Sequence, residues 1–137
     1  MKVECFLDTN VLIYAVAGKD GAPQKHDRAI ALLEKGAFGV SGQVLQEFFV
    51  IAIRKPSVPL SPDAAFLWVE RLSLQPCVAV DSSLVKLGIA ISQRYRIDYW
   101  DGAILAAAEA LSAETLYTED LNHGQMYGSV RVVNPFR

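Results

Sequence analysis

Short apolar runs alternate along the chain with longer stretches in which apolar residues recur every three or four positions. Short apolar runs bounded by turn residues are typical of buried strands, and the longer spacing indicates helices packed against a core. The pattern predicts five strands, at residues 3–8, 38–40, 77–80, 115–118 and 130–133. It predicts helices at 10–16, 24–35, 41–55, 61–74, 81–95 and 98–111, with a loop at 18–23.

Several helix boundaries carry their own signals. Gly36 follows the second helix, where glycine commonly ends one. Ser41 is suited to cap the third helix, which Pro56 and Pro59 are expected to end, because proline lacks the N–H that a helix needs. Pro62 stands at the first position of the fourth helix, where its fixed backbone angle is favourable.

The order of elements indicates the fold class. Each predicted strand is joined to the next by at least one helix, except at the end of the chain. This alternation predicts an α/β fold with a parallel sheet covered by helices on both faces. With 137 residues, the chain is expected to form a single domain spanning residues 1–137. Gly102, inside a predicted helix, indicates close packing or close approach of a ligand near Asp101.

Composition narrows the class of protein. Hydrophobic residues make up 52% of the chain, which argues against disorder. No apolar run reaches the roughly 20 residues that span a bilayer, and residues 1–4 do not begin a signal peptide. We therefore expect a cytoplasmic protein with no membrane partner. Cys5 and Cys77 lack a metal-binding spacing and are expected to be buried and reduced, and Trp68 and Trp100 are expected to lie in the core.

Four acidic residues stand in otherwise apolar surroundings. Asp8 ends the first strand, Glu47 lies in an apolar helix, Asp101 lies in the first turn of its helix, and Asp120 follows the fourth strand. No Lys or Arg lies within three residues of Asp8, Glu47 or Asp101. A carboxylate in apolar surroundings needs a partner, and ligands bind at the carboxyl ends of parallel strands. One shared cation would serve all four, so the pattern predicts an acidic metal pocket.

The type of metal follows from the ligands. Mg²⁺ and Mn²⁺ prefer oxygen ligands, and such ions can activate a water and stabilise the leaving oxygen of a phosphodiester. Zinc is not expected, because His26 and His123 are the two histidines and their spacing does not suit it.

Each acid also has a structural explanation. Asp8 is also suited to be simply the cap of the following helix, Asp98 resembles a cap as well, and Asp120 resembles a turn residue. Glu47 could pair with Arg54 two turns along the same helix. These alternatives remain open on the sequence alone.

The net charge of −2 makes the chain a poor attractor for nucleic acid as a whole. An enzyme acting on nucleic acid would then depend on local basic patches and on metal ions. Arg94 and Arg96 flank Tyr95, a combination that suits phosphate contact and base stacking. With Arg54, they are the candidate RNA contacts.

The acid-bearing segments resemble the PIN-domain family, in particular the VapC-type toxins of prokaryotic toxin–antitoxin pairs. The similar segments follow the family's order through the chain: LDTNVL at 7–12, QVLQEF at 43–48, YWDGAILAAA at 99–108, LYTEDL at 116–121 and VVNPF at 132–136. Family members often have Ser where this chain has Asp98, and Ala where it has Gly102. The extra carboxylate of Asp98 could join the metal site or simply cap its helix.

The resemblance implies a three-layer α/β/α domain with a central parallel sheet of about five strands. It implies a Mg²⁺- or Mn²⁺-dependent endoribonuclease that is commonly a homodimer and is paired with an antitoxin protein. Asp8, Glu47 and Asp101 would be the core metal ligands and catalytic acids, with Asp120 as the fourth. Asn10 and Thr118 would orient ligands or water.

Three functional hypotheses follow. The first is a toxin ribonuclease that hydrolyses RNA phosphodiester bonds with metal-activated water. The second is a haloacid-dehalogenase-type phosphatase, because Asp8 stands at a strand end before Thr9, although that family expects Asp where Asn10 stands. The third is a non-catalytic module whose acidic pocket binds an Arg-bearing partner.

Overall fold

The structure is a computed structural model that describes residues 3–19, 21–55 and 59–137. Within these ranges the strands are β1 (Cys5–Leu7), β2 (Phe38–Ser41), β3 (Cys77–Val78), β4 (Thr115–Tyr117), β5 (Met126–Tyr127) and β6 (Val130–Val133). The helices are α1 (Thr9–Val16), α2 (Pro23–Lys35), α3 (Gly42–Ala52), α4 (Pro62–Leu72), α5 (Ser82–Tyr95) and α6 (Tyr99–Ala110).

The strands form one sheet in the order β3-β2-β1-β4-β6-β5. All neighbouring pairs are parallel except β5 and β6, which are antiparallel. Helices flank this sheet, so the predicted α/β class is confirmed, with β1 and β4 at the centre. The carboxyl ends of these two central strands therefore lie side by side.

The sheet has six strands where the sequence predicted five. The additional strand, β5, is only two residues long and turns directly into β6 through Gly128, whose φ is 62°. Hairpin loops of two residues need such positive φ values, which glycine adopts without strain. Two residues are too few to show the alternation that reveals a strand in a sequence.

The core lies on both faces of the central strands. Phe6 and Leu7 of β1 and Leu116 of β4 are fully buried, and Phe48 of α3 and Leu105 of α6 pack in the same cluster. Within the described ranges, none of the helices combines the length and the apolar character needed to cross a membrane.

The capping signals were read correctly from the sequence. Ser41 Oγ accepts a hydrogen bond from the N–H of Val44 at 3.2 Å and so caps α3. Gly36, with φ of 68°, ends α2.

The third helix was predicted to reach residue 55 but ends at Ala52. The residue four beyond Ala52 is Pro56, which lies outside the described residues but has no N–H to bond the Ala52 carbonyl. The Leu60 N–H takes that carbonyl instead, at 3.0 Å.

Two predictions of burial were wrong. Trp100 was expected in the core, but 60% of its surface is exposed in the first turn of α6. Cys77 was expected to be buried, but it is exposed because β3 is the edge strand of the sheet. Cys5, in β1, is half-buried, and both thiols are free. Trp68 is partly buried against the core, as expected.

Gly102 allows α5 and α6 to pack closely. A Cβ atom placed on Gly102 would lie 2.6 Å from the carbonyl oxygen of Gly88 and 2.9 Å from the Cβ of Ser92. The glycine that the sequence linked to close packing or a ligand therefore serves the packing of two helices.

Candidate active site

The pairing of β1 with β4 brings Asp8 and Thr118 together. Leu7 is in register with Tyr117, so the residues that follow them emerge at the same edge of the sheet. Asp8 is 7% exposed, and both of its carboxylate oxygens accept hydrogen bonds. Oδ1 accepts the Thr9 N–H at 2.7 Å, and Oδ2 accepts the Thr118 hydroxyl at 2.8 Å. The carboxylate is thus fixed at the strand ends.

Thr118 also connects the other polar groups at this edge. Its buried Oγ1 accepts the Asp120 N–H at 3.0 Å and the Asn10 side-chain amide at 3.3 Å. Asn10 Nδ2 lies 3.4 Å from Asp120 Oδ2 as well. Asn10 Oδ1 is buried and has no hydrogen-bond partner within the described residues. One acceptor therefore remains free beside two carboxylates.

The remaining two acids lie on helices. Glu47, half-buried on α3, accepts the Thr9 hydroxyl through Oε1 at 3.1 Å. Asp101 lies in the first turn of α6, where the helix dipole favours a negative charge. All four predicted acids and Asn10 line one cleft of about 510 Å³. The structure therefore brings the predicted acids together from β1, α3, α6 and the segment after β4.

The acids influence one another electrostatically. Burial raises the pKa of Asp8 to about 6, the hydrogen bonds from Thr118 and Thr9 lower it, and the charges of Asp120 and Glu47 raise it. Burial also raises the pKa of Asp101, followed by the charges of Asp120, Asp98 and Glu47. Both carboxylates would gain from a cation in the cleft, because each is held among negative neighbours.

The donor set suits a hard divalent cation, although its members are not gathered into a finished ligand sphere. Among the residues that the structure describes, no group of three or more His, Cys, Asp or Glu side chains is arranged to hold a metal ion. Mg²⁺ usually keeps several waters and binds through one or two carboxylates. Oxygen donors around a roomy cleft match that mode of binding, as does the free Asn10 Oδ1.

The structural explanations offered for Asp8, Asp98 and Glu47 differ in how well they agree with the structure. Asp8 does cap α1, through the Thr9 N–H, and lines the cleft as well. Asp98 caps α6 by accepting the Trp100 N–H at 2.7 Å, and it is not among the cleft-lining residues. Glu47 forms no ion pair with Arg54 in the described parts of the chain.

The arginines that were predicted to contact RNA do not line the acidic cleft. None of Arg54, Arg94 and Arg96 is among the described residues that line the cleft, whereas Lys55 is. Arg94 stacks on the ring of Tyr95, with 5.2 Å between the guanidinium carbon and the ring centroid. Lys55 carries no signal in the sequence beyond its place one turn after Ile51.

Glu119 lies in the same cleft but already has partners. Its Oε1 accepts the Tyr14 hydroxyl at 2.9 Å, and its Oε2 pairs with Lys25 Nζ at 3.0 Å. Lys25 also contacts the ring of Tyr14. Glu119 is therefore neutralised locally, unlike the four acids above.

An α/β domain with an acid-lined cleft at the carboxyl ends of its central strands defines the structural class of this protein. The sequence matches the family model described as PIN domain over residues 5–128. The chain therefore belongs to the PIN domain family, and the resemblance seen in the sequence is confirmed. No curated protein matches the chain significantly in sequence.

Solved structures show the same fold at low sequence identity. A toxin–antitoxin complex from Klebsiella pneumoniae is 22% identical, with a TM-score of 0.71, and the match covers 96% of this chain and 98% of that chain. VapC20 from Mycobacterium tuberculosis, a sarcin–ricin loop cleaving toxin, is 17% identical over 85% of this chain and 90% of its own, with a TM-score of 0.66. DNA-bound VapBC from Salmonella typhimurium is 20% identical over 95% and 96%, with a TM-score of 0.64.

Proposed function

We propose that this protein is a Mg²⁺- or Mn²⁺-dependent endoribonuclease that hydrolyses RNA phosphodiester bonds with metal-activated water. The observation that carries the proposal is the meeting of Asp8, Glu47, Asp101 and Asp120 in one cleft of a PIN-family fold. Membership of that family gives no support to the phosphatase hypothesis, which we do not retain.

The four acids would hold the metal, and the ion would activate a water and stabilise the leaving oxygen of the phosphodiester. Asp8 is oriented for this role by Thr9 and Thr118, which leave its carboxylate little freedom to turn. Glu47 is oriented by the Thr9 hydroxyl. Asn10 would position a water through its unpartnered Oδ1.

The proposal is tested by incubating purified protein with a mixed structured RNA in Mg²⁺, in Mn²⁺ and in chelator. Asp101→Asn serves as the site variant, because it removes one charge from the cleft. Asp63→Asn serves as the matched control, because Asp63 lies exposed in the first turn of α4 and away from the cleft. We expect metal-dependent cutting by the wild type and Asp63→Asn, and at least a hundredfold loss in Asp101→Asn, as for loss of a group that stabilises transition-state charge.

The products add a test of the chemistry. If water is the nucleophile, the cut ends carry a 3′-hydroxyl and a 5′-phosphate, whereas a 2′,3′-cyclic phosphate would refute this mechanism. Equal cutting by the wild type and Asp101→Asn would mean a contaminating ribonuclease or a wrong site. Tight binding of an Arg-bearing partner without cutting in any divalent ion would favour the binding-module hypothesis.

We further propose that the enzyme acts in the cytoplasm as the toxin of a toxin–antitoxin pair. The proposal is supported by the fold shared with a toxin–antitoxin complex. The cognate antitoxin would insert an Arg side chain into the acidic cleft, where charge-assisted hydrogen bonds are strong. Expression of the protein should slow growth, Asp101→Asn should not, and a small protein encoded next to the gene should restore growth when co-expressed.

A homodimer is part of the same proposal. Phe66 and Leu67, both on α4, are each 55% exposed, and adjacent exposed apolar side chains favour association. Light scattering after size exclusion should give twice the chain mass of 15.0 kDa. A monomer at micromolar concentration would contradict this part of the proposal alone.

A further inference from the structure

A buried amide beside the candidate site has no explanation in the fold. Gln43 is 9% exposed, and its Nε2 is buried without a hydrogen-bond partner within the described residues. A buried donor left without an acceptor destabilises the folded state by about 1–3 kcal/mol. Gln43 also lines the cleft that holds the four acids. An unsatisfied donor on a cleft-lining residue is expected where a ligand supplies the acceptor.

Trp100 stands on the same cleft with its ring exposed. Its side chain lines the acidic cleft and, together with Gln43, a smaller adjoining cavity of about 70 Å³. The ring packs edge-on against Tyr99, with 5.0 Å between the centroids, and the backbone N–H of Trp100 donates to Asp98 Oδ1. The indole thus packs against Tyr99 while 60% of the Trp100 surface is exposed.

Both residues are tied by sequence to candidate metal ligands. Gln43 lies one turn before Glu47 on α3, and residues four apart share a helix face. Trp100 directly precedes Asp101 on α6. A group bound by Gln43 and Trp100 would therefore lie next to a phosphate held at the acids.

We propose that Gln43 and Trp100 form a nucleobase subsite, in which the base next to the scissile phosphate stacks on Trp100 and accepts a hydrogen bond from Gln43 Nε2. The inference rests on the proposed ribonuclease function. Stacking on aromatic side chains and reading of base edges by amides are how proteins recognise single-stranded RNA. Gln43 and Trp100 are positioning residues here, since the acids would carry the chemistry.

The chain offers its own spectroscopic probe, because it contains two tryptophans, Trp68 and Trp100. Trp68→Phe leaves Trp100 as the only indole, and Trp100→Phe leaves Trp68, which packs beside Phe48 in the core. Each variant is mixed rapidly with short single-stranded oligoribonucleotides of each base in Mg²⁺ and in chelator. We expect RNA to quench the emission of Trp68→Phe and to leave that of Trp100→Phe unchanged.

Binding and turnover give an independent readout. Trp100→Ala should weaken RNA binding roughly 5- to 150-fold, the range for one lost base stack, and should raise KM more than it lowers kcat. Gln43→Leu has a similar shape but no donor, so it should fold at least as stably as the wild type. Because Gln43 Nε2 is a donor, we expect the wild type to prefer uridine oligomers, whose bases carry carbonyl acceptors, over adenosine oligomers, and we expect Gln43→Leu to reduce that preference.

Several outcomes would overturn the subsite. One is the absence of Trp100 quenching by all four oligonucleotides. Another is quenching that follows protein concentration without RNA, which would assign the ring to contact with a second copy. A third is quenching by an Arg-rich peptide but by no RNA. Quenching by RNA without metal-dependent cutting would support the subsite and contradict the proposed nuclease activity. Metal-dependent cutting with an unchanged KM in Trp100→Ala would support the nuclease activity and contradict the subsite.

Discussion

The Thr118 hydroxyl donates a 2.8 Å hydrogen bond to Asp8 Oδ2 across 110 residues of sequence, and both groups are buried. The bond joins the ends of the two central strands and fixes the most buried acid of the cleft. It also lowers the pKa of Asp8, against the effect of burial. The same contact therefore contributes to the stability of the fold and to the ionisation of the site.

Replacing Thr118 with Val should destabilise the fold by about 1.5–3 kcal/mol, because the buried hydrogen bond to the Asp8 carboxylate is lost, together with the acceptor of the Asp120 N–H and the Asn10 amide, while the side-chain volume is kept. Urea unfolding at neutral pH measures the change. Thr118→Ser is the control, since it retains the hydroxyl and should keep the bond. Equal stability of Thr118→Val and the wild type would show that the hydrogen bonds of the Thr118 hydroxyl contribute nothing net.

The raised pKa of Asp8 makes stability depend on pH. A carboxyl with a pKa of about 6 in the fold, against 3.8 ordinarily, is easier to bury protonated than charged. Stability is therefore lost as pH rises between these values, by up to about 3 kcal/mol above pH 6. In chelator, we expect the free energy of unfolding of the wild type, relative to that of Asp8→Asn, to fall by up to this amount between about pH 4 and pH 7.

The control for that series is Ser83→Ala, at an exposed position of α5 that carries no ionisable group, and its difference from the wild type in free energy of unfolding should be nearly flat over the same pH range. A difference between wild type and Asp8→Asn that is also flat would mean that Asp8 ionises normally in the fold.

The meeting of the four acids in one cleft could be predicted from the sequence because strand ends and isolated acids are local features. Asp8 and Asp120 follow strands that a parallel sheet must align, and Glu47 is an acid in an apolar helix. Each of these predictions required only the order of helices and strands along the chain. The helix caps at Ser41 and Gly36 were visible for the same reason.

Contacts between elements distant in the chain could not be predicted in this way. The bond from the Thr9 hydroxyl to Glu47 depends on how α1 lies against α3. The exposure of Trp100 and the free amide of Gln43 depend on how α3 and α6 meet around the cleft. Periodicity shows which face of a helix is apolar, but it does not show where a neighbouring helix leaves that face uncovered.

Replacing Gly102 with Ala should destabilise the fold by about 1–3 kcal/mol, because the added Cβ meets the backbone of Gly88 in a closely packed region. Thermal unfolding measures the loss. Gly42→Ala is the matched control, because a Cβ there meets its nearest neighbour, a Val80 methyl, at an ordinary 3.5 Å. It should be neutral or slightly stabilising, because Gly42 is the first residue of α3 and the advantage of Ala over Gly, about 1 kcal/mol, applies in full only inside a helix. Equal melting temperatures for both variants would contradict the packing role of Gly102.

Divalent metal should stabilise the protein through the four acids. The carboxylates raise one another's pKa without a cation, so a bound ion relieves repulsion in the folded state alone. At a hundred times the Kd, linkage adds about 2.7 kcal/mol to the free energy of unfolding, which appears as a higher Tm in Mn²⁺ or Mg²⁺ than in chelator. Glu47→Gln and Asp101→Asn should reduce the shift, and Asp63→Asn should preserve it. An unchanged Tm of the wild type at millimolar metal would count against a metal site in the cleft, and with it against the proposed chemistry.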